Sequence, residues 1–189
     1  MGDPAKIFLM LRDRTPEMVI AWLEAFSDEG PWSIGGGDIL HSKADAIVSP
    51  ANSYGFMDGG IDLAYRNFFG LGLQNRLQAV IQRNFNGCLP VGQAIIIPTL
   101  KESIPHMVAA PTMERPHNVA KTDNAYIAMK AALQAVRDFN ARSDTPIQKI
   151  LVPGLCTGIG RMDPFVSAKQ MRRAFDEIYA DSKASKQQM

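Results

Sequence analysis

Residues 49–70 read SPANSYGFMDGGIDLAYRNFFG. The stretch leaves a short apolar run at 46–48 (AIV) and passes into helical sequence that extends from Ile61 to about Phe85, with Gly70 and Gly72 as an expected break. A buried strand therefore meets a helix through Asn52, Asp58, Gly59, Gly60 and Asp62, a junction far richer in glycine and small polar residues than a short turn requires. A second junction of the same kind, residues 153–163 (PGLCTGIGRMD), connects an apolar run at 149–152 to a helix opened by Asp163-Pro164. Two strand-to-helix junctions of this composition decide the fold class.

Working outward, residues 6–11 (KIFLML) form an apolar run before Thr15-Pro16, which has the residue types of an N-cap followed by a first-turn proline. Val19, Trp22, Leu23 and Phe26 then recur at helical spacing until Gly30-Pro31. Residues 32–40 read as a strand interrupted by Gly35, Gly36 and Gly37, and 46–48 as a short central strand. Further strands are expected at 91–98 (VGQAIIIP), which has the look of a buried strand, at 106–110 (HMVAA) and at 149–152. Ala125, Ala128, Met129, Ala132, Val136 and Phe139 mark a helix entered near Thr122; Phe165, Ala168, Arg172, Phe175 and Tyr179 mark the last one. Strands alternating with helices imply an α/β fold whose mostly parallel or mixed sheet is covered on both faces. Ligands of such sheets sit outside the carboxyl ends of the strands, where both junctions fall.

With 189 residues and 46% hydrophobic content, the chain can bury one good core, so residues 1–180 are expected to form a single domain and the polar stretch 181–189 (DSKASKQQM) a frayed tail. Twenty basic against nineteen acidic side chains supply no net field toward nucleic acid or an anionic membrane. No stretch approaches the roughly 18 apolar residues of a membrane span, and MGDPAKIFLMLRDR is unlike a secretory signal, so a cytoplasmic location is expected. Cys88 and Cys156 lack metal or disulfide spacing, and His41, His106 and His117 are isolated, so neither a metal nor another cofactor is expected.

Glycine lets backbone N–H groups converge, and a helix N-terminus adds a partial positive charge, so the two junctions have the makings of a pair of anion cradles for a diphosphate; the other reading is two ordinary glycine-rich loops. Hydrogen bonds to a charged group contribute about 1.5–3 kcal/mol each, so a few would account for the ~8 kcal/mol of micromolar affinity without a lysine. Neither junction ends in the Gly-Lys-Ser/Thr of a Walker loop and neither follows GxGxxG.

The ordered set Gly37-Asp38-Ile39, 45–52 (DAIVSPAN), 59–62 (GGID) and 156–160 (CTGIG) resembles the macrodomain family of ADP-ribose-binding modules, over most of the chain. The resemblance implies a three-layer α/β/α sandwich around a central mixed sheet, with ADP-ribose across the strand ends. It implies that Asp38, beside Ile39, accepts a hydrogen bond from the adenine amino group; the other reading of Asp38 is a cap or turn residue. It implies that Asn52 contacts the distal ribose through amide donor and acceptor, the alternative being a turn-stabilising Asn. Gly59, Gly60 and Ile61 match the family's glycine-rich first loop, and Thr157, Gly158, Ile159 and Gly160 the loop that closes over the diphosphate. Asp62, ten positions beyond Asn52, matches the acid of hydrolytic members, which would orient or deprotonate water at the anomeric carbon; the alternative is an acid that complements the helix dipole. Three departures stand out: Ser49-Pro50 replaces the first motif Asn, Met57-Asp58 precedes the glycines, and Gly160 occupies a place often held by an aromatic. The implied function is hydrolysis of a bond at the distal ribose of an ADP-ribosylated acidic side chain, O-acetyl-ADP-ribose or ADP-ribose phosphate. The alternatives are a non-catalytic reader of ADP-ribose, free or on a macromolecule, and a domain whose pocket has lost this ligand.

Overall fold

The computed structural model describes residues 7–186; residues 1–6 and 187–189, which include the start of the expected domain and the end of the expected tail, lie outside the described residues. In chain order the elements are β1 (Phe8–Asp13), α1 (Pro16–Ala25), β2 (Trp32–Gly36), β3 (Ala46–Ser49), α2 (Gly60–Phe69), α3 (Gly72–Phe85), β4 (Ile95–Pro98), β5 (His106–Ala109), α4 (Asn124–Asn140), β6 (Lys149–Val152) and α5 (Pro164–Lys186). A single 3-10 turn, Ile39–His41, lies between β2 and β3. The six strands form one sheet in the order β2-β1-β6-β3-β5-β4, parallel throughout except for β4, which runs antiparallel to β5.

Strand alternation builds the three layers. Ala46, Val48, Val108, Ile150 and Val152 face a core shared with α1, α4 and α5, whereas Ile47, Met107, Ala109 and Leu151 face the core of α2 and α3. Register keeps each set on one side, since Ile47 stands opposite both Met107 and Leu151. Residues along β3 are all buried, as a central strand between two helical layers demands. The α/β/α sandwich with a mixed sheet expected from the sequence is thus present.

The differences from expectation are local. The strand read at 32–40 stops at Gly36, because Gly37 turns the chain with φ of +119° and Asp38 caps the following 3-10 turn, its Oδ1 accepting from the Leu40 N–H at 3.0 Å. The buried look of 91–98 is misleading: Gly92 adopts φ of +97°, the strand begins only at Ile95, and it is the antiparallel edge of the sheet. Pro98, which cannot donate to a ladder, closes that edge strand. Asp163 caps α5 as expected, its Oδ1 accepting from the Phe165 and Val166 N–H groups. That helix continues to Lys186 and so takes in most of the stretch expected to fray.

Tyr65 ties α2 to the sheet. Its ring is fully buried and its hydroxyl donates to the Val48 carbonyl at 3.1 Å. Tyr65→Phe is expected to cost about 1 kcal/mol, read as a lower urea midpoint with an unchanged slope, since one neutral hydrogen bond is lost while the ring packing stays.

Candidate functional site

All five parallel strands end on one rim of the sheet, and a cavity of about 450 Å³ opens there, within the range of small-ligand sites. Its wall is contributed by the ends of β1 and β2, the two glycine-rich junctions and the loop after β5. Asp38, Ile39, Asn52, Gly59, Gly60, Ile61, Asp62, Thr157, Gly158, Ile159 and Gly160, each singled out from the sequence, all line this one cavity.

The most informative contact is between the two junction residues Ser49 and Asp62. Ser49 shares strand parity with Ile47, so its side chain points toward the α2 layer, where its Oγ donates to Asp62 Oδ1 at 2.6 Å. Asp62, in the first turn of α2, is only 8% exposed. Burial pushes its carboxyl up to about 6, with nearby Asp58 acting in the same direction and the Ser49 hydrogen bond opposing both. A carboxyl group poised there can be a base near neutral pH. The acid is thus buried while it still stands in the first turn of α2, where it complements the helix dipole.

Asn52 departs from the role implied by resemblance. Its Oδ1 accepts from the Tyr54 and Phe56 N–H groups and its Nδ2 donates to the Phe56 carbonyl at 2.7 Å. Both acceptor lobes are therefore spent on the Asx-type loop, and one N–H remains to offer a ligand. Contact through both donor and acceptor does not fit this geometry. Asp38 is similarly engaged, pairing with Arg14 through Oδ2 while it caps through Oδ1; these bonds hold its carboxyl below the usual range. Each oxygen of Asp38 keeps a further lobe for an incoming N–H donor.

Gly59 is the N-cap of α2, and Gly60 has φ of +55° with nothing within 4 Å of the place a Cβ would take. The first-turn N–H groups of α2 have no acceptor four residues back. The second junction also lines the cavity, and there Thr157–Gly160 is a compact ring of backbone in which the Cys156 carbonyl accepts from Met162 N–H at 2.9 Å. Gly160 is explained by that ring, since a Cβ there would lie 2.5 Å from the Cys156 carbonyl oxygen. Cys156 lines the cavity, but burial pushes its thiol up to about 12, leaving it protonated and a poor nucleophile. Arg161 is exposed and is not among the residues that line the cavity.

Several lining residues carried no sequence signal. Asp13 Oδ1 accepts from Thr15 N–H and its Oδ2 from Gly154 N–H, which pins the end of β1 to the start of the second junction. Arg14, Met113 and Pro116 enter the wall only through the fold. Of Tyr54, Phe56, Met162 and Phe165, which the sequence offers as a surface in place of the aromatic missing at Gly160, Phe56 lines the cavity and is half exposed, whereas Tyr54 donates to Glu114. Among the described residues, no group of three or more His, Cys, Asp or Glu side chains is placed to hold a metal, and no helix is long and apolar enough to cross a membrane.

A mixed α/β/α sandwich, here with a cavity lined by two glycine-rich junctions, is the architecture that the comparisons with known proteins share. The family model described as Macro domain matches residues 48–171, more than half of the chain, and the chain belongs to that family. An uncharacterized protein of Aquifex aeolicus (strain VF5) is 32% identical over 136 residues, covering 71% of this chain and 74% of that one. Among solved structures, the macrodomain of Mycobacterium tuberculosis DarG superposes with a TM-score of 0.64 at 21% identity, covering 76% of this chain and 89% of its own. A Trypanosoma brucei macrodomain in complex with ADP-ribose gives a TM-score of 0.54 at 22% identity, covering 75% and 56% of the two chains.

Proposed function

We propose that the protein binds an ADP-ribosyl group in this cavity and hydrolyses the bond at the anomeric carbon of its distal ribose. Adenine lies toward Asp38 and Ile39, the diphosphate between Gly59–Ile61 and Thr157–Gly160, and the distal ribose toward Asn52 and Asp62. Asp62 is the general base, taking a proton from water as that water attacks. The observation that carries this reading is Asp62 itself, a buried carboxyl on the wall of the cavity with its ionisation moved toward neutrality. The substrates this fits are ADP-ribosylated acidic side chains, O-acetyl-ADP-ribose and ADP-ribose phosphate.

A second reading, a non-catalytic reader of ADP-ribose on a macromolecule, draws support from Asn52, whose amide is largely consumed by its own loop. Calorimetric titration with ADP-ribose, paired with release of ADP-ribose from a mono-ADP-ribosylated acidic substrate, separates the two. Micromolar binding with release is the expected result. Binding without release from any of the three substrate types leaves the reader, and no binding at millimolar ligand overturns both readings.

A further inference from the structure

Asp62 has two oxygens in unlike surroundings. Oδ1 receives the Ser49 hydroxyl at 2.6 Å, whereas Oδ2 has no hydrogen-bond partner among the described residues and is not sealed from solvent, on a residue that lines the cavity. Ser49 is itself completely buried at the end of the central strand. Its hydroxyl, whose position is set by the β3 ladder to β5, fixes the Asp62 carboxylate from behind. Pro50 follows at once and stiffens the strand end.

We propose that Ser49 is a positioning residue for Asp62: it anchors Oδ1 so that Oδ2 alone faces a water held over the distal ribose. The proposal rests on the hydrolytic reading above. It gives a role to Ser49, which the resemblance treated only as a lost amide. A short hydroxyl suits this task, because it reaches the acid without entering the cavity; Ser49 is not among the lining residues, though Pro50 is. The remaining titratable groups that bear on the pair are Asp58, from the loop before α2, and Tyr65, one turn further along α2. Asp58 disfavours a second negative charge and Tyr65 stays neutral, its ionisation raised far out of range by burial. The Ser49 hydroxyl therefore opposes burial and Asp58, favouring the ionised acid.

The test compares the unaltered protein with Ser49→Ala and Ser49→Thr by two independent readouts. Carbon-detected NMR titration of the Asp62 carboxyl needs no turnover. Ser49→Ala is expected to raise its midpoint, because the bond that favours the carboxylate is gone, and Ser49→Thr to restore it. In steady-state release assays Ser49→Ala is expected to move the acid limb of the kcat profile to higher pH and to lower kcat about tenfold to a hundredfold, with KM within roughly twofold. Ser49→Thr recovers the profile. An unshifted midpoint, or an unchanged kcat profile in an active protein, overturns the assignment of Ser49 alone. A midpoint raised in Ser49→Ala while the unaltered protein itself shows no turnover overturns the hydrolytic reading and, with it, this role.

Discussion

Asp62→Asn is expected to abolish most turnover and at the same time to make the protein more stable at neutral pH. Removing a general base lowers the rate of ADP-ribose release by about 10²–10⁴-fold, while ADP-ribose affinity stays within a few fold because the amide keeps the shape of the carboxylate. The stability change has a definite sign. In the folded state Asp62 titrates at about 6 instead of 3.8, with desolvation as the leading cause. Between those values the native protein holds more protons than the unfolded chain, so stability falls as pH rises through this window and the full penalty is in place above about pH 6. At about 1.4 kcal/mol per pH unit, an ionised Asp62 costs on the order of 3 kcal/mol. The Asn variant escapes that cost at pH 7–8 and gains nothing below pH 4. Urea midpoints at pH 8 and pH 4 measure the difference, and release assays on the same preparations measure the loss. A variant that is less stable at pH 8, or one that retains its turnover, would show that Asp62 is a structural acid held by Ser49 and not a base.

Both expectations meet in one residue because a buried acid with its ionisation raised by desolvation is a candidate for function. It also shows where sequence reading reaches its limit. The layers follow from alternating apolar residues such as Ile47 and Val48, whose period sends one to each face, and the two junctions follow from glycine and capping chemistry that is local in the chain. The edge position of β4 was not legible, because Ile95, Ile96 and Ile97 read as a buried run and nothing local says that α3 and α4 cover their faces while one edge stays unpaired. The Ser49–Asp62 bond spans 13 residues and depends on strand parity, helix entry and rotamer together, so the sequence offered only a missing amide. Asn52 shows the converse. Its two readings differ only in where the amide points, and the loop that claims it is built from the Tyr54 and Phe56 backbone around Gly55, whose φ of +69° and crowded Cβ position call for glycine.

Gly160→Ala is expected to damage both the closing loop and the fold. The added Cβ would stand 2.5 Å from the Cys156 carbonyl oxygen and 2.8 Å from Val119 Cγ2, and the nearer atom is backbone that no rotamer change can move. That carbonyl is itself committed to Met162 N–H, while the Gly160 carbonyl accepts from Val119 N–H at 2.9 Å, so yielding at one point strains two hydrogen bonds. Overpacking of this kind costs about 1–3 kcal/mol. The loop must also shift at Thr157 and Gly158, which line the cavity proposed for the diphosphate, so ADP-ribose affinity is expected to fall at least about tenfold, or ~1.4 kcal/mol. Gly158→Ala supplies the contrast. A Cβ there meets nothing within 4 Å and the backbone is not left-handed, so stability is expected to change by less than about 0.5 kcal/mol. If Gly160→Ala weakens ADP-ribose binding while Gly158→Ala leaves the fold intact, the glycine at 160 exists to let the backbone close on itself. A side chain larger than alanine at 160 would meet the same backbone contact. Equal stability of the two variants would mean instead that the ring opens readily, and that its compactness has no part in holding the ligand.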